Sequence, residues 1–465
     1  MRRSTAMICS LLFAGSALAA DPCADPYCAD ESFGNSGRVT IDFAYGDADR
    51  GNAILRVPGG DRLYVIGQVT TAVAGDDDFG VACLLEDGSL CPDFGNSGTM
   101  TVAMDFAPGG LDAAVAGAVV PWGAGRDWRL AVVGRVERMT AGNTDYGVAL
   151  VRPDGALEVA ASGGKVAVAF DLGADLTDLP AAVAVDSQGR IVVGGTVDVA
   201  ADDSDWGFTR LNADLTIDTS FGTNGRAVLD VAGLAVMHAL ILQTDGTIIA
   251  AGSRDFGDDQ MVIAQLDADG VPNPFFGILG QTVFNSDGPG PNDDVAFSLA
   301  TDPLGRHVIA GQADTFSAVC WMAARVLANG QPDPTFDSGS ATSLHCYSQT
   351  TAGARAIAVF PDGHLVIAVE SDSQGDHDFG VFERTASNSA EALRFYPFDL
   401  GGTNDDRPRS MLVQPDGKIV IAGRAVGPGG TLDFGVLRLW SHQVFADGFE
   451  AWGSAAEWDL LVGTP

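Results

Sequence analysis

Aspartate clusters are the clearest groups of residues whose types and spacing could do chemistry. Asp76 and Asp77 form one cluster, Asp202 and Asp203 form another, and each stands just before a strand-like segment. Carboxylate oxygens suit calcium, which takes about six to eight oxygen ligands. Neither cluster has the full order of alternating ligands and a bend glycine that calcium loops use. The alternative is a solvated turn in which aspartate bonds nearby backbone N–H groups.

Recognisable catalytic motifs are absent from the sequence. There is no Gly-x-Ser-x-Gly and no His-Glu-x-x-His, and the six histidines show no metal-ligand spacing. Glycoside cleavage needs only two carboxylates, and the 61 acidic residues could supply them from several loops. The sequence therefore predicts no cofactor other than calcium. It favours a protein that is not an enzyme.

The charge of the chain is strongly negative, with 26 basic against 61 acidic residues and a formal net charge of −35. A surface of this sign repels nucleic acid and anionic membranes. We therefore expect no nucleic-acid partner, and no later segment is long enough to span a membrane.

A repeat of about sixty residues organises the chain. Its first signature is a Phe-Gly-x-x-Gly turn, as in SFGTNGRAV at 220–228. The second is a turn and an apolar run that ends in small residues, as in PDGKIVIAG at 415–423. The third is an Asp-aromatic-Gly strand, as in DFGVLRL at 433–439. Seven copies follow one another in phase, although the second has SGGKV and the sixth FYPFDL in place of the Phe-Gly turn.

The third signature places the same residue types in copy after copy. Its aspartates are Asp78, Asp145, Asp205, Asp378 and Asp433. Its large side chains are Phe79, Tyr146, Trp206, Met261, Trp321, Phe379 and Phe434. A residue type that recurs in every copy is more typical of structure than of a single active site. We predict that the aspartates bond backbone groups at strand starts and that the large side chains pack between repeats.

Each repeat offers about four strand-like runs rich in valine and isoleucine, separated by turn residues, and sustained helical periodicity is absent. Four-stranded antiparallel repeats leave bare edges unless the array closes. The sequence therefore predicts an all-β fold, a seven-bladed β-propeller with about four antiparallel strands per blade. An open β-solenoid is the alternative.

The second signature opens with a basic residue in six copies: Arg62, Arg129, Arg190, Arg306, His364 and Lys418. A ring of such residues on one face could bind an anion. The other interpretation is that they are exposed residues that offset local acidity.

The N-terminus indicates export. Arg2 and Arg3 precede an apolar run that ends in Ala17-Leu18-Ala19, so residues 1–20 are predicted to be a signal peptide. Six cysteines remain after its removal, and an even number in an exported chain predicts disulfides. Proximity in the sequence favours three pairs: Cys23 with Cys28, Cys83 with Cys91, and Cys320 with Cys346.

The repeat resembles the delta-60 repeat family of bacterial secreted proteins, because SFGTNGRAV, PDGKIVIAG and LDFGVLRL are close to its consensus. The resemblance implies that residues 21–440 form one propeller, but it implies no activity, because the family has no established common one. The segment VFADGFEAWGSAAEWD at 444–459, in the tail 441–465, resembles C-terminal segments of exported proteobacterial proteins. The alternative is an acidic end that packs on the last repeat.

Two functions follow as hypotheses. The first is a monomeric propeller, extracellular, periplasmic or at the cell surface, that binds a protein or glycan without catalysis. The second is a secreted hydrolase or lyase of polysaccharide that uses carboxylates in the propeller funnel.

Overall fold

A computed structural model describes residues 27–441 except 44–47, 74, 108, 124–126, 140–141, 173–176, 256, 287–292, 316–317, 347–351, 361, 372–376, 385–390, 399–404 and 428–429. The described residues form 28 β-strands and one 3-10 turn, and they include no α-helix. The predicted signal peptide, Cys23 and the tail beyond Ser441 lie outside the described residues. The described part has no helix with the length and apolar character of a membrane span.

The strands form antiparallel groups of four, which we call units. The first strand in the chain, β1 (Arg38–Ile41), belongs to the last unit. Unit one contains β2 (Arg50–Arg56), β3 (Leu63–Thr70), β4 (Asp77–Leu84) and β5 (Thr99–Val102). Unit two contains β6 (Ala113–Pro121), β7 (Trp128–Glu137), β8 (Thr144–Val151) and β9 (Lys165–Val168). Unit three contains β10 (Asp178–Val185), β11 (Ile191–Ala200), β12 (Asp203–Leu211) and β13 (Arg226–Leu229).

The remaining units follow the same order. Unit four contains β14 (Leu234–Leu242), β15 (Ile248–Asp255), β16 (Asp259–Leu266) and β17 (Gln281–Phe284). Unit five contains β18 (Val295–Thr301), β19 (His307–Thr315), β20 (Ala318–Val326) and β21 (Thr342–Cys346). Unit six contains β22 (Ala352–Val359), β23 (Leu365–Ser371), β24 (Asp378–Arg384) and β25 (Glu391–Tyr396). Unit seven contains β26 (Arg407–Val413), β27 (Ile419–Val426), β28 (Leu432–Leu439) and β1.

The two ends of the described chain meet in unit seven, where β1 pairs antiparallel with β28 from Arg38 opposite Leu437 to Ile41 opposite Phe434. Each unit contacts the next, and β2 of unit one contacts β26, β27 and β28 of unit seven. Units three and four share one sheet through a single parallel bridge between Ser204 and Leu234. The other units are separate four-stranded sheets.

A bulge in the first strand of each unit explains the small residues that end the second signature. The facing position of the second strand is glycine in six units, and Val369 takes its place in unit six. A Cβ atom on any of these six glycines would lie 1.8–2.2 Å from a first-strand carbonyl oxygen. The six glycines are Gly67, Gly134, Gly195, Gly252, Gly311 and Gly423. Only glycine lets the two strands approach so closely.

The same glycines receive large side chains from the preceding unit. The Trp206 ring of unit three lies against Gly252 of unit four, and Phe434 of unit seven lies against Gly67 of unit one. All seven members of the predicted column are at most 2% exposed: Phe79, Tyr146, Trp206, Met261, Trp321, Phe379 and Phe434. The core is therefore distributed between neighbouring units, with one aromatic or methionine side chain at most interfaces.

Buried aspartates just before the first strands join the units, a role that sequence analysis missed. Asp49 accepts hydrogen bonds from the backbone N–H groups of Phe43 and Thr70. Asp406 accepts them from Phe398 and Val426. Equivalent aspartates with backbone partners are Asp112, Asp178 and Asp294. These bonds connect the start of one unit to strands of the same unit or to the end of the unit before it.

Candidate functional site

The bulges also build the candidate site, because each leaves one residue of a first strand without a partner across the ladder. The residues on either side of it are mostly buried, but the bulge residue itself is half-buried in every unit. The seven bulge residues are Asn52, Val115, Ala181, His238, Phe297, Arg355 and Arg409. No residue type is kept among the units, except that two of the residues are arginines, so packing does not dictate these side chains.

All seven bulge residues line one cavity of about 330 Å³. A second cavity of about 380 Å³ shares Asn52, Val115, Leu179, Pro180 and Arg409 with it. The two cavities are therefore continuous, and we call them together the axial funnel. Volumes of roughly 300–1,000 Å³ are typical of small-molecule sites.

The axial funnel is cationic although the chain is strongly acidic. Its lining includes five arginines, Arg50, Arg135, Arg355, Arg409 and Arg424, and among the described lining residues there is no aspartate or glutamate. The paired carboxylates that a hydrolase or lyase mechanism of the predicted kind requires are therefore not part of this described lining.

Two of the five arginines pair with carboxylates that do not line the cavities. The guanidinium of Arg355 donates to Glu370 at 2.8 Å and stacks over the Phe297 ring at 4.1 Å. Arg424 pairs with Asp405. Arg407 donates to both carboxylates, at 2.9 Å to Glu370 and 2.8 Å to Asp405. These contacts fix one wall of the funnel.

The other three arginines have no ion pair in the described part of the chain. Arg409 has no hydrogen bond there either, and the Nε atoms of Arg50 and Arg135 are buried without a partner. Burial and the nearby charge of Arg355 lower the pKa of Arg409 to about 10. Burial of a cation without an ion-pair partner is unfavourable, so Arg409 favours the presence of an anion in the funnel.

The rest of the funnel lining is mostly apolar and aromatic. It carries Leu179, Val236 and the ring of His238, whose centroid lies 5.2 Å from that of Phe297. Burial, with Arg355 and Arg409 nearby, lowers the pKa of His238 to about 4. The imidazole is therefore neutral at pH 7, where one ring nitrogen can donate a hydrogen bond and the other can accept one.

The basic residues that open the second strands do not form a second anion site. Arg190 donates to Asp186 at 2.6 Å, Arg306 to Asp302 at 2.6 Å, and Arg129 to Glu158 at 2.6 Å. Arg62, His364 and Lys418 also face acidic partners: Asp93, Glu383 and Asp416. Their role is to offset local acidity.

The predicted calcium residues do not come together as one set. Asp76 lies in a carboxylate group with Asp78 and Asp105, whose oxygens are within 4.8 Å of one another. Asp77 instead accepts from the amide of Gln68 at 2.6 Å. Asp202 and Asp203 belong to no such group in the described residues. Calcium binding remains a prediction for the cluster that contains Asp76.

The aspartates of the third signature differ in their contacts. Asp205 accepts a bond from the Val231 backbone N–H, and Asp145 pairs with Arg138 at 3.1 Å. Burial raises the pKa of Asp78 to about 6, with the charge of Asp76 adding to it. Asp378 is buried and Asp433 is half-buried, at the start of β24 and near the start of β28.

Disulfides join Cys83 to Cys91 and Cys320 to Cys346, the latter across the paired strands β20 and β21. Cys28 is also disulfide-bonded. Its predicted partner Cys23 lies outside the described residues.

Comparison with known families supports a β-propeller repeat protein. A family described as "Domain of unknown function (DUF5122) beta-propeller" matches residues 61–94, 187–221, 243–276 and 414–441. These four segments contain second- and third-signature strands and their turns. With the sheet arrangement above, they define the class of the protein: an all-β propeller built from repeats. No curated protein sequence matches the chain.

Solved structures resemble the chain at low identity. The polysaccharide lyase Uly1 is 10% identical, with a TM-score of 0.47 over 92% of this chain and 94% of that one. A protein of unknown function from Dyadobacter fermentans DSM 18053 is 11% identical, with a TM-score of 0.41 over 87% and 100%. Sqt1 from Chaetomium thermophilum is 15% identical, with a TM-score of 0.44 over 86% and 96%. At these values the likenesses carry no argument about function.

Proposed function

We propose that the chain is an exported seven-bladed propeller of the delta-60 type whose axial funnel binds a ligand without catalysis. In this proposal units three and four are two blades that touch through one bridge, and the pairing of β1 with β28 closes the ring. Closure covers the faces of the two terminal units and leaves only short, protected strand edges, which supports the ring over an open array.

A single observation carries the binding function: the seven bulge residues meet in one cavity, and the repeat leaves their types free. A repeat delivers copies of its structural residues, whereas a ligand site needs one asymmetric set of side chains. The funnel has such an asymmetric set, because arginines form one part of its lining and aromatic and apolar side chains form another. The absence of carboxylates from the described lining favours binding over a hydrolase or lyase that uses carboxylates in the funnel.

A pocket-filling variant tests the binding function. The exported protein would be screened against glycan arrays and culture-supernatant components, next to Val115→Trp, which places an indole in the funnel. Val73→Trp serves as the control, because Val73 is 60% exposed in a loop outside the funnel. We expect Val115→Trp to lose the ligands that wild type and Val73→Trp retain. Equal binding by all three proteins would contradict an axial site.

Export has a separate test. We propose that the disulfides form in an oxidising compartment after removal of residues 1–20. Mass spectrometry of the protein from culture supernatant or periplasm should give a chain that begins near residue 20 or 21 and has no free thiols. A full-length, reduced chain in the cytoplasm would contradict export.

A further inference from the structure

The unpaired arginines of the axial funnel allow the proposed ligand to be named by class; this inference rests on the binding function proposed above. We propose that the funnel binds a uronic-acid saccharide, with its carboxylate on Arg409 and the other unpaired arginines of the funnel, and with a sugar face toward His238 and the apolar side chains beside it.

The charge distribution is the first argument. Basic residues are scarce in this chain, yet Arg50, Arg135 and Arg409 come from three different units and line the same funnel without acidic partners in the described residues. By contrast, each of the arginines Arg129, Arg190 and Arg306, which open second strands, pairs with two carboxylates. Three arginines without ion pairs that line one cavity therefore point to an anion from outside the chain.

The geometry of the guanidinium group is the second argument. Its planar donors match a carboxylate in a bidentate arrangement, which an ammonium group cannot do. Arg355 and Arg424 are oriented by Glu370 and Asp405, so the wall beside Arg409 is fixed before a ligand arrives. A preorganised site loses less side-chain entropy when it binds.

The third observation is the apolar and aromatic part of the lining, because these side chains can pack against a sugar ring and offer nothing to a simple anion. Phe297 and His238 present half-buried rings to the cavity, and Leu179 and Val236 extend this surface. Asn52 adds an amide for hydroxyl groups; its Nδ2 already donates to the Ala114 carbonyl at 2.8 Å. A cavity with one cationic wall and one aromatic wall fits a sugar that carries a carboxylate.

Calorimetric titration with matched saccharides tests the inference. The probes are disaccharides of galacturonate, glucuronate and mannuronate, each next to its neutral parent, with sodium acetate as the simple anion. We expect at least one uronate to bind at least tenfold more tightly than its neutral parent and than acetate. Arg409→Gln should weaken that binding roughly 10- to 100-fold, as the loss of a charged hydrogen bond does. Arg409→Lys should recover only part of it.

Arg56→Gln is the matched control. Arg56 is also a half-buried first-strand arginine with a buried, unpartnered nitrogen, but it lines neither cavity of the funnel. The Arg56→Gln protein should bind the uronate as wild type does. Circular dichroism and the Tm of each variant would show that the fold is kept.

The outcomes separate this inference from the function on which it rests. If a neutral parent binds as tightly as its uronate and Val115→Trp abolishes both, the axial site stands and the uronate assignment is overturned. Equal binding of acetate overturns the saccharide part. Uronate binding that neither Val115→Trp nor Arg409→Gln changes overturns both proposals. If no uronate binds, the uronate inference is wrong. The binding function is tested separately by the glycan-array screen of wild type and Val115→Trp.

Discussion

Replacing Asp178 with asparagine should reduce the pH dependence of stability, because this carboxyl is buried at the start of β10 with only 1% exposure. Burial raises its pKa from 3.8 to about 7, although the Phe170 N–H bond at 2.6 Å opposes the shift. The folded state therefore holds the proton between those two pH values while the unfolded state releases it. The free energy of unfolding consequently falls as the pH rises through this window.

The magnitude follows from the size of the shift. At 1.36 kcal/mol per pH unit, a rise from 3.8 to about 7 corresponds to roughly 4 kcal/mol as an upper limit for Asp178. Burial also raises the pKa values of Asp49 and Asp112 to about 6, which adds to this loss of stability, whereas burial lowers the pKa values of His238 and His307 to about 4, which opposes it. The asparagine of the Asp178→Asn variant cannot titrate, and its carbonyl oxygen can still accept the Phe170 bond.

Urea unfolding at pH 5 and pH 8, followed by tryptophan fluorescence, measures the effect. We expect the loss of stability between these pH values to be smaller in Asp178→Asn than in wild type by about 1–3 kcal/mol. Asp61→Asn is the control, because Asp61 is exposed, and it should behave as wild type does. A pH dependence of stability that is the same in Asp178→Asn and in wild type would refute the reasoning.

Three further predictions concern packing, closure and calcium. Gly252→Ala should lower the free energy of unfolding in urea by about 1–3 kcal/mol, because its Cβ would lie 2.0 Å from the Val236 carbonyl oxygen. The control Gly60→Ala, whose Cβ would have its nearest atom at 3.3 Å, should lower it less, and equal losses would count against the close approach of the strands. Ile41→Ala, in the closing strand β1, should lower stability by roughly 2–5 kcal/mol, and a neutral result would mean that β1 does not hold the ring. Added calcium should raise the Tm of wild type but not of Asp78→Asn, and no calcium effect on wild type would remove the predicted site.

The repeat alone predicted the all-β class, because short runs rich in valine and isoleucine, separated by turn signals in seven phased copies, are local information. The burial of the aromatic column also followed from its position in the repeat, and the pairings Cys83–Cys91 and Cys320–Cys346 followed from proximity in the sequence. The sequence did not show why six second strands carry glycine. That reason is a first-strand carbonyl brought close by a bulge, and bulges leave no clear mark in a sequence.

The sequence by itself determined the repeat, its strand content and the acidic charge, since each depends on residue type and spacing along the chain. Tertiary structure decided the candidate site. Asn52 and Arg409 are more than 350 residues apart, and each looks like an ordinary strand residue in its own repeat. They share a cavity only because the tertiary structure brings the bulges of the first strands together. The arginines of this cavity suggest anion binding because its described lining contains no carboxylate.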